Sequence, residues 1–403
     1  MSQNRGTVDE SVAYINALVY TVDSSNPWAS AFIVSQNGSF THVGSVDDIL
    51  SEARRYHLVT VDLKGRFTMP GIHDAHMHLL FSGLGLTSNA TIDRDATYLN
   101  IAENVKHGSC ACEYMNAYQN WILASAYNNE GFPDGVADRK YLDELFPEQP
   151  VVVSGGAAHA MLLNTAALLQ AGYDIENEPD AHGAKFFRRA DGSLTGELAE
   201  SAMAKAALAI PGPSLSHVKR ALKHAIRLAH KAGVTSTQEA SSNTILLQAF
   251  NEMERECSLK LDVSTHIVHE NEWLASESKE SLQRLLEVAD QYASKHIDTR
   301  FVKIMMDGVP LPPLFTHAGL GENGDIDHSM IVAENVADAM LKYDRKGLTV
   351  KIHCTGTGAT RYALNAIEAV RRSNPGGPKH EIAHNSGVHD GKNLKIVCVD
   401  EIG

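Results

Sequence analysis

From about Gly71 onward the chain alternates short strand-like runs with helix-like segments, and this rhythm restricts its fold more than any single motif does. Strand candidates lie at 68–73, 235–238, 261–268, 301–306, 349–354, 381–384 and 394–399. Between them, stretches such as 216–232 and 280–294 repeat apolar residues at three- and four-residue spacing, the signature of helices with one buried face. Strands and helices in alternation build a parallel sheet covered by helices. Seven units in succession predict an α/β fold, a (β/α)8 TIM-like barrel that stops after its seventh strand.

Two regions break the rhythm. At the N-terminus, runs at 13–22, 31–35 and 40–43 are rich in β-formers, and Asn37-Gly38 between the last two is a strong hairpin signal. Residues 1–65 are therefore expected to form a small antiparallel β domain, which the family resemblance given below implies is the N-terminal part of a composite β-sandwich, and 66–403 the barrel. The second break, about 79–213, reads as an insertion after the first barrel strand. Insertions there sit over the C-terminal mouth, where barrels build their active sites, so this one is expected to shape a pocket.

The charge balance narrows the partners. With 35 Lys+Arg against 49 Asp+Glu, a net charge of −14, the chain lacks the basic footprint that nucleic acid or an anionic membrane surface requires. A small-molecule substrate is the better expectation. No apolar run approaches the roughly 20 residues that span a bilayer, and the five cysteines are odd in number and scattered, which points to a reducing, cytoplasmic setting.

The sharpest local motif is Met69-Pro-Gly-Ile-His-Asp-Ala-His-Met-His78. Histidines at i and i+2 on an extended segment point to one side, so His76 and His78 can present two imidazoles to one metal ion. A pair of merely hydrogen-bonded histidines is the competing reading. His353 ends Thr349-Val-Lys-Ile-His353 and His384 ends Glu381-Ile-Ala-His384, so each closes a predicted strand and faces the same mouth. Four converging histidines favour a metal site over four separate ones. Lys303, flanked by apolar residues in Phe301-Val-Lys-Ile-Met-Met306, must be desolvated and pushed toward the neutral amine. Such an amine can add carbon dioxide to give an anionic bridge between metals, act as a Schiff-base nucleophile, or snorkel to the rim.

These residues belong to a longer ordered set: Asn16-Ala-Leu-Val-Tyr-Thr-Val-Asp23, the Met69–His78 motif, Trp121-Ile-Leu-Ala-Ser-Ala-Tyr127, Tyr141-Leu-Asp-Glu-Leu-Phe-Pro147, Gly233-Val-Thr-Ser236, Val302-Lys-Ile-Met-Met-Asp-Gly308 and Ile352-His-Cys-Thr-Gly356. The set resembles the amidohydrolase superfamily, and within it the amidohydrolase-3, YtcJ-like branch that includes N-substituted formamide deformylase. The resemblance implies His76 and His78 as first-strand metal ligands, Lys303 as the fourth-strand lysine open to carboxylation, and His353 and His384 as fifth- and sixth-strand ligands. It further implies one or two divalent ions, zinc foremost, and hydrolysis of an amide or N-substituted formamide-like C–N bond by a metal-activated water. His159, in Gly155-Gly-Ala-Ala-His159, and Glu200, in Thr195-Gly-Glu-Leu-Ala-Glu200, match positions bordering the pocket and are substrate-side candidates, with surface hydrogen bonding as the alternative reading. Asp307, beside Gly308, is a third, with a plain Asp-Gly turn as its alternative.

The same resemblance places the proton-transferring Asp on an eighth strand, past Gly403, so no catalytic carboxylate is assigned. Gly356-Thr357 stands where the family has Gly-Asp, and Ala383 where a Glu precedes the sixth-strand histidine. An open barrel would leave unpaired edges that favour a homo-oligomer, with weak metal binding and slow turnover. An inactive barrel kept for binding, and a decarboxylase or isomerase on the same fold, are the alternative readings.

Overall fold

The computed structural model describes residues 11–110, 115–155 and 158–386. The contacts divide the chain into two compact units, Met1–Ile72 and His73–Gly403.

In the first unit a four-stranded sheet runs Phe40–Gly44, Ala31–Val34, Val12–Ile15, Val59–Asp62, beside a three-stranded sheet of Trp28–Ala29, Leu18–Tyr20 and Phe67–Thr68. The Asn37-Gly38 signal is realised as the turn of the antiparallel hairpin that pairs Ala31 with Gly44, Gly38 taking a φ of 85° that only glycine adopts without strain. The run expected at 13–22 divides in two, because Asn16 enters the left-handed region at φ 55°. Val12–Ile15 and Val59–Asp62 pair in parallel, so the unit is not purely antiparallel. Helix Val46–Tyr56, capped by the Ser45 side chain on the Asp48 N–H, lays Ile49 and Ala53 onto Ala13, Ala31 and Ile33.

The second unit contains the expected strand and helix alternation. Six strands form one sheet: β1 (Ile72–Met77), β2 (Val234–Ser242), β3 (Asp262–Val268), β4 (Ile297–Met305), β5 (Thr349–Cys354) and β6 (Glu381–His384), side by side in chain order. β2 through β6 are parallel throughout. The first strand lies later than its sequence suggests: 68–73 is split at Met69-Pro70-Gly71, since proline has no N–H for a ladder, and the strand proper starts at Ile72. The seventh expected strand, 394–399, lies outside the described residues.

Laid flat, six strands would hold their edges about 24 Å apart, five spacings of about 4.8 Å. Yet the rings of His76 on β1 and His384 on β6 lie 4.8 Å apart, and the Lys351 ammonium on β5 donates to the Ala75 carbonyl on β1 at 2.6 Å. The sheet is therefore curled, bringing its two edges together. Helices cover its outside by amphipathic faces. Leu215–Lys231, capped by Ser214, buries Val218, Ala221, Leu222, Ala225, Ile226 and Ala229. Thr244–Arg255, Val336–Asp344 and Thr357–Ser373 pack their own apolar faces into the same layer.

Between β1 and β2 the chain builds a second, mixed sheet of six strands, in the order Ala184–Arg188, Leu194–Glu200, Ala160–Leu163, Val151–Gly155, Ile122–Tyr127, Ala90–Thr91. Its core gathers Trp121, Val152, Leu163, Leu168, Leu194 and Leu198. Among the described residues no helix is long and apolar enough to cross a membrane.

Candidate metal centre

Strand periodicity and curl together place the expected ligands. His76 is the fifth residue of β1, and His78 follows that strand as the residue before helix Leu79–Thr87. His353 lies near the end of β5 and His384 ends β6. Their rings form a continuous chain of contacts: His78 to His76 at 5.3 Å between centroids, His76 to His384 at 4.8 Å, His384 to His353 at 4.4 Å. Lys303, on β4, is 1% exposed, and its charge acts on all four rings.

Electrostatics keeps the rings neutral. Burial, reinforced by Lys303 and the neighbouring imidazoles, lowers His76 to about 2, and burial with Lys303 and His384 lowers His78 to about 4. His384 falls to about 4, and His353 well below its ordinary value, for the same leading reason. Lys303 itself is lowered to about 7 by burial first and then by Lys351, its register partner on β5. A neutral imidazole carries the lone pair that a metal requires. For His353 the geometry also selects the nitrogen: Nε2 lies 3.0 Å from the Gly308 carbonyl, which only accepts, so Nε2 holds the proton and Nδ1 the lone pair.

The four rings pack on one another rather than around a point, and among the described residues no three His, Cys, Asp or Glu side chains stand as a ready set of metal donors. What fits a divalent ion is the chemistry of the donors: four imidazoles that burial keeps toward the neutral form, and a buried lysine lowered toward the neutral amine.

The substrate-side candidates separate. His159 joins the cluster, 5.2 Å from the His353 ring and 5.5 Å from Trp273. Its Nδ1 faces both Glu200 carboxylate oxygens at 3.0 Å, and the Thr316 hydroxyl donates to Glu200 at 2.7 Å. Glu200 is fully buried at a φ of 54°, uncommon for a residue with a side chain. Gly308 leaves it room, because a Cβ there would overlap the Glu200 carboxylate and the Thr316 hydroxyl. Asp307 lies beside His353 instead, its Oδ1 4.0 Å from the His353 Nε2. Its carboxylate accepts from the N–H groups of Ala318 (3.0 Å), Thr355 (2.9 Å) and Gly356 (2.8 Å), so it ties β4 to the turn after β5, and burial pushes its pKa up against those bonds.

A family model described as the amidohydrolase family matches residues 59–396. The chain belongs to the amidohydrolase family. It is similar to the exoenzymes regulatory protein AepA of Pectobacterium carotovorum, 24% identical over 90% of this chain and 77% of that one. It is also similar to N-substituted formamide deformylase of Arthrobacter pascens, 24% identical over 89% of this chain and 66% of that one. The chain thus spans about two thirds to three quarters of the length of these relatives. Among solved structures, an uncharacterized metal-dependent hydrolase from Pyrococcus horikoshii superposes with a TM-score of 0.65 at 20% identity, over 89% of this chain and 68% of that one. That likeness concerns the fold.

Within this family member, several buried polar residues near the cluster are not apparent from strand ends alone. Lys351 is 3% exposed; its ammonium reaches the Gln238 amide oxygen, the Ala75 carbonyl and, at 3.0 Å, the Glu381 carboxylate. The signal was available, since Lys351 stands two residues before His353 and so shares its face of β5. Glu239 on β2 and His266 on β3 are fully buried as well. They lie inside strands, and only the curl makes those strand faces an interior.

Proposed function

We propose that the chain is a metal-dependent hydrolase acting on the C–N bond of an amide or N-substituted formamide-like small molecule, with His76, His78, His353, His384 and Lys303 as the metal-holding set. The observation that carries this reading is the meeting of four imidazole rings at the ends of β1, β5 and β6, all within electrostatic reach of the buried Lys303. One or two divalent ions, zinc first among them, would supply a water acidified toward neutrality and a polarised carbonyl.

The chain's own residues account for the rest. Lys303, lowered to about 7, is shifted toward the neutral amine, the form that adds carbon dioxide and releases a proton to become a carbamate. Gly308 holds His353 through its carbonyl, so the Nδ1 lone pair keeps its direction. The Glu200 carboxylate and Thr316 hydroxyl hold His159 beside His353, where its free nitrogen can meet a polar group of the substrate. The deformylase relative suggests the bond class, and the net charge of −14 favours a small neutral or cationic molecule over a polyanion.

The test is turnover of a panel of N-substituted formamides and simple amides by the zinc-loaded chain, before and after a chelator. Amine release that stops on chelation and returns with zinc is the expected result. Turnover that survives chelation contradicts it. The regulatory name of the AepA relative favours a second reading, binding without hydrolysis, and zinc retention with no turnover across the panel would select it.

A further inference from the structure

Behind His78 lies a hydrogen-bonded chain that the metal reading does not require but that bears on it. His78 Nδ1 is 2.7 Å from the Ser241 hydroxyl oxygen. That hydroxyl donates to Glu239 Oε1 at 3.3 Å, and the Ser241 N–H reaches the same oxygen at 3.2 Å. The second oxygen, Oε2, accepts the Leu79 N–H at 2.5 Å, from the residue directly after His78. Glu239 is 0% exposed, so neither oxygen is available to water.

The direction of this chain follows from its far end. In its ionised form the Glu239 carboxylate only accepts, and a serine hydroxyl has a single proton to give. With that proton directed at Glu239, the Ser241 oxygen is an acceptor toward the ring, so His78 must carry its proton on Nδ1 and its lone pair on Nε2. The Leu79 N–H bond pins the backbone beside the same ring. Glu239 therefore fixes both the tautomer of His78, through Ser241, and the backbone from which the ring projects.

We infer that Glu239 and Ser241 are positioning residues for the candidate metal centre, holding His78 with Nε2 as its only donor nitrogen, a role that rests on His78 being a ligand. The ladder of β2 is irregular between Glu239 and Ser242, and that departure from strict alternation lets the Ser241 N–H and hydroxyl both reach the Glu239 carboxylate. Outer partners of ligand imidazoles commonly change metal affinity 10–100-fold when removed.

Two measurements on the full chain test this. The first is zinc and cobalt affinity, by competition with a chromophoric chelator, for the unaltered chain, Ser241→Ala and Ser241→Thr. Ser241→Ala is expected to bind about 10–100-fold more weakly, with an altered cobalt absorption spectrum. Ser241→Thr, which keeps a hydroxyl, is expected to restore both, while the metal-free melting temperatures of all three agree. The second is the long-range proton–nitrogen spectrum of the metal-free protein, expected to give His78 protonated at Nδ1 in the unaltered chain and as a tautomer mixture in Ser241→Ala. Equal metal affinity in Ser241→Ala and the unaltered chain would overturn the positioning role, as would an Nε2-protonated His78. An unaltered chain that binds neither metal would remove the metal reading on which the role rests, and the spectrum would still report whether Ser241 sets the tautomer.

Discussion

His266 lies on β3 with its ring 4.8 Å from that of Phe301, fully buried, and burial lowers it to about 3, with Lys351 and Lys303 adding to the shift. Its folded pKa is thus below the unfolded value of about 6.5. The stability it contributes is complete above pH 6.5 and is lost as pH falls from there toward 3, because the unfolded chain takes up a proton that the fold refuses. His76, His78, His353 and His384 act in the same direction in the metal-free protein. Glu239, raised to about 7 by burial, acts oppositely: its contribution is present below about 4.5 and is lost as pH rises through 7, so it offsets one of the five. In urea unfolding of the metal-free chain, stability should fall from pH 6.5 to 4.5. In His266→Leu the fall should be shallower by up to about 1.4 kcal/mol per pH unit; parallel slopes would contradict the buried neutral ring. At this scale the sequence is legible where spacing alone aims side chains together, as for His76 and His78, or where a histidine closes a strand, as for His353 and His384. It is not legible for His266 and Glu239, which lie inside β3 and β2 and close no strand.

The joint between β4 and β5 depends on one side chain. Asp307 accepts three buried N–H groups from Ala318, Thr355 and Gly356, in addition to the Thr355 hydroxyl. Asp307→Ala leaves those donors without an acceptor and should cost about 3 kcal/mol or more, whereas Asp307→Asn keeps a carbonyl oxygen and should lose less. The denaturant midpoint, with an unchanged slope, reads this directly; a loss below about 1 kcal/mol would mean that water replaces the carboxylate. Sequence suggested either a pocket-facing acid or a plain turn for Asp307, and neither describes a carboxylate shared between two loops far apart in the chain. Strand bounds were readable where apolar and β-branched residues run to a clear stop, as at Thr349–Cys354 and Glu381–His384. They were misplaced where a proline interrupts the run, as at Pro70 before β1. Residues 79–213 could be recognised as a departure from the barrel rhythm, but their six-stranded sheet pairs strands in an order that local patterning does not encode.

Across the whole second unit, the candidate centre is a consequence of sheet curl. His76 and His384 belong to the two edge strands and meet only because the strands between them twist round. A metal held there is bound by the folded state alone, so binding and folding are linked, and an ion at 100 times its dissociation constant would add about 2.7 kcal/mol to stability. The family model covers residues 59–396 and so spans every strand that contributes a candidate ligand. The most direct measurement is the metal content of the purified 403-residue chain by plasma mass spectrometry, beside a His76→Ala/His78→Ala double variant of equal helicity. About one to two equivalents of a divalent metal in the unaltered chain, lost in the variant, is the predicted result. A folded, unaltered chain that holds no metal even after incubation with zinc would contradict it.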